Sequence, residues 1–210
     1  MNLYRVSLLF LVAVMLLTLP GCTSEEHYRT DSVSEYMQLS GHITNEGLDI
    51  RSGLFIFPES PVGMENVQYT YACKYGALDN SYLLFLKGTY PDQAAYDAEL
   101  QRLQGISCSV SLPEETANNT VQYSETLFAY PAYITVYNTN LSFEYALTDA
   151  KTRSIVYVYI KLYEGADFLP SEYLPLEFAG SSMMDYDSTW TNQNIYYAPC
   201  GNGDHAYYKD

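Results

Sequence analysis

The chain has 210 residues, of which 48% are apolar and 17% are charged, and its formal net charge is −15. An apolar share of this size can build a buried core, which excludes an intrinsically disordered chain. The strong negative charge repels phosphate backbones, so we predict that nucleic acid is not a partner.

The start of the chain predicts an export signal. A ten-residue apolar run, Leu8–Leu17, follows a short segment whose positive charge is Arg5. A membrane-spanning helix needs about 20 apolar residues, so a run of this length fits a secretory signal instead. We therefore predict that residues 1–21 are a signal peptide.

This segment ends in Leu19-Pro20-Gly21-Cys22. The ending resembles the lipobox of bacterial lipoproteins. The resemblance implies cleavage between Gly21 and Cys22 and a diacylglyceryl group on the Cys22 thiol. It also implies a protein held on the outer face of the cytoplasmic membrane, or on an outer membrane if the host has one. Two acyl chains hold a protein stably at a membrane, whereas a single chain binds only marginally.

The remaining chain is predicted to form one domain. Residues 22–31 are polar and predict a tether, and residues 32–210 are predicted to form a single α+β domain. We expect a short helix over 32–39. The C-terminal segment 165–210 is predicted to be irregular: residues 165–180 show no clear period, and residues 181–210 are polar and aromatic and are expected to wrap the surface or pair at a sheet edge.

Apolar runs and alternating segments predict an antiparallel sheet of six or seven strands. The run Tyr82–Lys87 is almost entirely apolar, which is typical of a central strand covered on both faces. Turn residues join the last three predicted strands into a meander. Eight segments are candidates for these six or seven strands, namely Leu48–Phe57, Val67–Lys74, Tyr82–Lys87, Ile106–Leu112, Val121–Ala129, Tyr133–Tyr137, Leu141–Leu147 and Ile155–Leu162.

One helix is strongly predicted, over residues 92–104. Asp92 can cap the free amides of its first turn, and its charge suits the helix dipole. Tyr96, Leu100 and Leu103 recur at helical spacing and form one apolar stripe. Gly105 is a suitable end. We expect this helix to pack its stripe on the sheet.

Tyrosine is unusually frequent, at 23 residues. Tyr157 and Tyr159 fall on the face of their strand opposite its valines, and Tyr133 and Tyr137 are candidates for the same surface. Two interpretations follow. The four rings could form an exposed aromatic face that binds a carbohydrate or an envelope protein. Alternatively the predicted helix or the C-terminal segment covers them, which we favour because helices usually pack on one face of such a sheet.

Three cysteines remain beside Cys22, namely Cys73, Cys108 and Cys200. Their spacing matches no zinc signature. Cys73 and Cys108 fall on the apolar phase of predicted strands, so both buried thiols and a Cys73–Cys108 bridge are open, and we favour the thiols.

No catalytic, cofactor or metal motif is found in the sequence. The histidines, His27, His42 and His205, lie beside no nucleophile in a known context. Asp185–Ser188 and Asp204-His205 lack the alternating acids of a calcium loop, so we interpret them as solvated turns. We predict no metal site and no cofactor.

The leading functional hypothesis is a surface-exposed, lipid-anchored bacterial lipoprotein that acts by non-covalent binding of a ligand or envelope partner. Two alternatives remain. The first is an envelope hydrolase that uses dispersed carboxylates, which leave no short motif. The second is a structural or assembly factor of the cell envelope. Whether the protein is an enzyme is left open, and the sequence favours a binding protein.

Overall fold

The computed structural model describes residues 26–36, 54–75, 80–106, 108–110, 121–137, 142–161, 169–176 and 207–209. The signal peptide, Cys22, Cys200 and the two acidic stretches weighed as metal sites lie outside these residues. The described elements are β1 (Glu26–Thr30), α1 (Val33–Tyr36), β2 (Glu65–Tyr75), β3 (Asn80–Thr89), α2 (Gln93–Gln104), β4 (Cys108–Val110), β5 (Gln122–Ser124), β6 (Ala132–Tyr137), β7 (Ser142–Asp149), β8 (Ser154–Lys161), a 3-10 helix (Ser171–Tyr173) and β9 (Tyr207–Lys209).

Within the described residues, seven strands form one antiparallel sheet in the order β1-β2-β3-β8-β7-β6-β5. The α+β fold class is therefore confirmed. The predicted meander is also confirmed, since β6, β7 and β8 are neighbours in space as in sequence. Strand β3 lies between β2 and β8, so it is a central strand, as its continuous apolar run predicts.

Both faces of the sheet are covered. The helix face carries Tyr71, Leu84 and Tyr157, and Tyr96 and Leu103 of α2 pack into the same cluster. The opposite face carries Phe85, Tyr145 and Val158; it is covered by the segments around Phe128 and around Tyr173 and Leu174. When both faces of a sheet are covered, side chains on both sides of its central strands are buried. This explains the long apolar runs in β3 and β8.

Helix α2 begins and ends as its sequence predicts. The side chain of Asp92 accepts a hydrogen bond from the Ala95 amide at 2.8 Å. Tyr96 and Leu103 are buried and Leu100 is half-buried, so the stripe faces the sheet. Gly105 ends the helix with its amide on the carbonyl oxygens of Gln101 and Arg102.

The prediction of a strand over Leu48–Phe57 is wrong for its described part, residues 54–57. This segment is fully buried but is not a strand. The carboxylate of Glu144 accepts the amides of Phe55 and Ile56 at 2.7 and 2.8 Å, in place of a neighbouring strand. A short apolar run is compatible with either structure, and only its hydrogen-bond partners decide between them.

The tether predicted over residues 22–31 extends too far along the chain, because most of its second half belongs to the sheet. Residues Glu26–Thr30 form β1 and pair with Tyr71–Tyr75 along the outer edge of β2. The ring of Tyr28 lies 5.9 Å from that of Tyr71. A strand at the edge of a sheet is held mainly by the hydrogen bonds of its backbone and needs no apolar face, so a polar segment can occupy this position.

The predicted strand Val121–Ala129 is shorter than expected, and the described part of Ile106–Leu112 pairs outside the main sheet. Of Ile106–Leu112, residues 108–110 form β4, which pairs with β9 and not with the main sheet. Of Val121–Ala129, only Gln122–Ser124 form a strand. Strand β9, in the C-terminal segment, pairs with β4 in a separate two-stranded sheet and not at an edge of the main sheet. Cys73 is buried on the helix face, as its alternation predicts.

Candidate functional site

The predicted aromatic face is wrong for Tyr157 and Tyr133, which are 0% and 5% exposed. They lie on the helix face together with the half-buried Tyr159, but beneath α2 and the segment 54–57. For Tyr157 and Tyr133 the alternative, in which the helix covers the rings, is therefore confirmed. Tyr137 is described only by its backbone, which pairs with Phe143.

The polar tips of these tyrosines join the helix to the sheet. Tyr157 donates a hydrogen bond to Glu99 at 2.6 Å, and its hydroxyl lies 2.9 Å from that of Tyr90. The Arg102 guanidinium binds Glu99 and also donates to the carbonyl oxygen of Ile56, both at 2.6 Å. Burial raises the pKa of Tyr157 well above its usual value, so its hydroxyl keeps its proton and remains a donor. These groups satisfy one another, which is the behaviour of a structural network.

A pocket of about 350 Å³ lies instead at one end of the opposite face. It is formed where β2 and β8 begin and where β3 and β7 end, and Tyr130, Glu172 and Tyr173 line it from outside the sheet. Its volume falls within the range of roughly 300–1,000 Å³ that is typical of small-molecule sites. The described lining residues are Asn66, Gln68, Lys87, Gly88, Thr89, Tyr130, Leu147, Thr148, Asp149, Thr152, Ser154, Val156, Glu172 and Tyr173.

An irregularity in β2 shapes one side of the pocket. The register with β3 shifts between Glu65 and Gln68, and Asn66 has a left-handed φ of 51°. Asparagine tolerates this conformation better than most residues. The Asn66 amide then donates to the Thr89 hydroxyl at 3.1 Å. Bulges of this kind re-aim side chains and are frequent beside functional sites.

Lys87 is the only cation among the described residues that line the pocket. Its ammonium donates to the Tyr173 hydroxyl at 2.9 Å and lies 5.4 Å from the centre of that ring. The hydrogen bond raises the pKa of Lys87 although partial burial lowers it. Burial raises the pKa of Tyr173. At neutral pH the pocket therefore presents an ammonium group beside a neutral phenol.

Two carboxylates line the same pocket, and their surroundings differ. Asp149 accepts the Lys151 amide at 2.9 Å and the Thr152 hydroxyl at 2.8 Å within the β7–β8 turn. The Thr152 hydrogen bond lowers the pKa of Asp149, so this carboxylate stays ionised and tied to the turn. Glu172 is exposed, and its carboxylate contributes to the raised pKa of the neighbouring Tyr173. The pocket lining thus carries one ammonium, Lys87, and two carboxylates, of which Glu172 is the one not held by the turn.

One feature of the sequence, the charged residue Lys87 at the end of an apolar run, indicated this site. Lys87 ends the run Tyr82–Lys87, so a central strand with both faces covered carries a charge that needs a polar environment. Nothing local indicates that Glu172 and Tyr173, about 86 residues away, supply that environment. The pocket residues were therefore not predicted.

The described part of the chain shows neither a metal-binding cluster nor a helix suited to cross a membrane. No three histidine, cysteine, aspartate or glutamate side chains there are close enough to hold a metal ion together. No helix in the same residues combines the length and the hydropathy needed to span a membrane.

Comparison with protein-family models, with curated protein sequences and with solved structures finds no match to this chain. The fold and the pocket thus define an α+β domain with a small-molecule-sized site at one end of its sheet.

Proposed function

We propose that this protein is a lipid-anchored binding protein of the bacterial envelope, exported by residues 1–21 and held by a diacylglyceryl group on Cys22. The pocket beside Lys87 and Tyr173 is its binding site. The observation that carries this proposal is a sheet packed on both faces that nevertheless leaves a pocket of about 350 Å³ at one end. An envelope component would be its ligand.

The topology supports this arrangement. Three residues separate Cys22 from β1, so Glu26 would lie within about 14 Å of the anchored residue. Glu26 of β1 pairs with Tyr75 at the C-terminal end of β2. Gln68, which lines the pocket, lies near the N-terminal end of β2. At roughly 3.3 Å per residue these positions are about 23 Å apart. The anchor and the pocket would therefore lie at opposite ends of the sheet, which leaves the pocket open to ligands away from the membrane.

A hydrolase that acted at this pocket would use Asp149 and Glu172, the two carboxylates among its described lining residues. Glycoside hydrolysis needs one carboxyl group that holds a proton near neutral pH. The lowered pKa of Asp149 does not fit that role, and its two hydrogen bonds within the turn occupy both oxygens with which it would act as the base or nucleophile. The binding function is therefore the better-supported proposal.

The anchor predicts the mature protein's mass. For protein purified from bacterial membranes, we expect intact-mass analysis to find a chain that starts at Cys22 and carries two acyl chains. We expect Cys22→Ser to leave the membrane fraction and Cys200→Ser to remain in it. A mature chain that starts elsewhere, or one without acyl groups, would contradict the anchor.

The pocket predicts a variant that blocks binding. Gln68 is exposed and lines the pocket, so the indole of Gln68→Trp would occupy part of its volume. Isothermal titration with a panel of neutral sugars, acidic sugars and short peptides should find at least one ligand. We expect Gln68→Trp to weaken that ligand at least tenfold, about 1.4 kcal/mol.

Gln101→Trp is the matched control, because Gln101 is also an exposed glutamine but lies on α2, which packs on the helix face. We expect this variant to bind as the unsubstituted chain does. The site assignment fails if no member of the panel binds, or if Gln68→Trp and Gln101→Trp behave alike.

A further inference from the structure

We infer that the pocket binds a neutral sugar unit through two adjacent hydroxyl groups, with Lys87 as donor and Glu172 as acceptor. This inference rests on the proposed binding function and names the ligand class and the residues that select it.

The first argument is the charge of the pocket. Asp149 is held by the turn but stays ionised, so the lining carries one ammonium and two carboxylates, of which Glu172 is the one not held by the turn. An anionic ligand would meet Glu172 and a chain with a net charge of −15. A cationic ligand would meet Lys87. A neutral ligand with both donors and acceptors avoids both conflicts.

The second argument is the position of the two charged groups. Lys87 donates to the Tyr173 hydroxyl, and Glu172, the residue that precedes Tyr173 in the chain, lines the same pocket, so both charged groups lie beside one tyrosine. An ammonium group has three donor hydrogens, and one is used on Tyr173. A hydroxyl group can donate and accept, so one hydroxyl of a vicinal pair could accept from Lys87 while its neighbour donates to Glu172.

The third argument is the aromatic wall. The half-buried Tyr130 ring lies 6.4 Å from the Tyr173 ring, and both line the pocket. Aromatic rings provide an apolar surface with a polar tip, which suits the C–H face of a sugar ring. The neutral amides and hydroxyls of Asn66, Gln68 and Thr152 complete a lining that can bind further hydroxyl groups.

The experiment compares Glu172→Gln with the unsubstituted protein. The probes are neutral hexose and N-acetylhexosamine oligosaccharides, their deoxy analogues that lack one hydroxyl of a vicinal pair, and the matching uronic acids. We expect neutral sugars to bind more tightly than uronic acids, and we expect Glu172→Gln to weaken them about tenfold or more. Removing the hydroxyl that faces Glu172 should weaken binding to the unsubstituted protein strongly and to Glu172→Gln little.

Lys87→Met is a second variant, which removes the donor to the other hydroxyl of the vicinal pair. Asp97→Asn, on the exposed side of α2, is the control. Equal binding of neutral and acidic sugars, or full affinity in Glu172→Gln, would overturn the inference. If no sugar binds but a peptide binds and is blocked by Gln68→Trp, the inference fails while the binding function stands. If nothing in the panel binds, both fail.

Discussion

Replacing Glu144 by alanine is expected to lower the free energy of unfolding by about 3–5 kcal/mol. Glu144 is 1% exposed, and its two carboxylate oxygens accept the amides of Phe55 and Ile56 and the hydroxyl of Thr135. A buried amide that loses its partner costs about 1–3 kcal/mol, and this change leaves two of them. Urea denaturation followed by circular dichroism measures the loss, and exchange of the Phe55 and Ile56 amides should become faster.

Two controls separate the hydrogen bonds from the charge. Glu144→Gln keeps an acceptor oxygen for both amides, so we expect it to cost less than half as much as the alanine variant. Glu125→Ala removes an exposed carboxylate and should change stability by no more than about 0.5 kcal/mol. Our assignment is wrong if Glu144→Ala is no more destabilising than Glu125→Ala.

Replacing Arg102 by methionine is expected to cost about 2–4 kcal/mol. The side chain of Glu99 is 11% exposed and would lose the guanidinium at 2.6 Å, and the Ile56 carbonyl would lose its donor. Methionine keeps an apolar stem of similar reach, so the loss reflects mainly the polar contacts. Thermal unfolding and urea denaturation measure the change.

Arg29→Met is the matched control for this pair. Arg29 binds Asp31 at 3.3 Å, but both side chains are about half exposed, at 49% and 59%. Exposed pairs contribute about 0–1 kcal/mol, so we expect little change. The double variant Glu99→Gln with Arg102→Met should recover part of the loss, because it no longer buries an unpaired carboxylate. Equal losses for Arg29→Met and Arg102→Met would contradict the structural role of Arg102.

Both predictions concern the segment 54–57, where prediction from sequence was least successful. The residues that bind Ile56 lie 88 and 46 positions away, in β7 and α2. An apolar run indicates burial but not the identity of its hydrogen-bond partners. Helix α2 was predictable because its cap, its stripe and its final glycine are all local features.

The aromatic face shows the same limit. Alternation correctly places Tyr157 and Tyr159 on the face opposite Val156 and Val158. It does not indicate that Glu99 of α2 lies over Tyr157 and binds its hydroxyl. Residues with period two share a face whether that face is covered or wet, so exposure had to come from the structure.

The sequence by itself determined the acidic character, the resemblance to a lipoprotein signal, the helix and the strands that alternate or run apolar. These features depend on residues within a few positions of one another. The tertiary structure alone decided that both sheet faces are covered and that Lys87 meets Tyr173 and Glu172 at a pocket. Such a meeting depends on which strands become neighbours, and strand order follows from contacts between distant segments that no local pattern records.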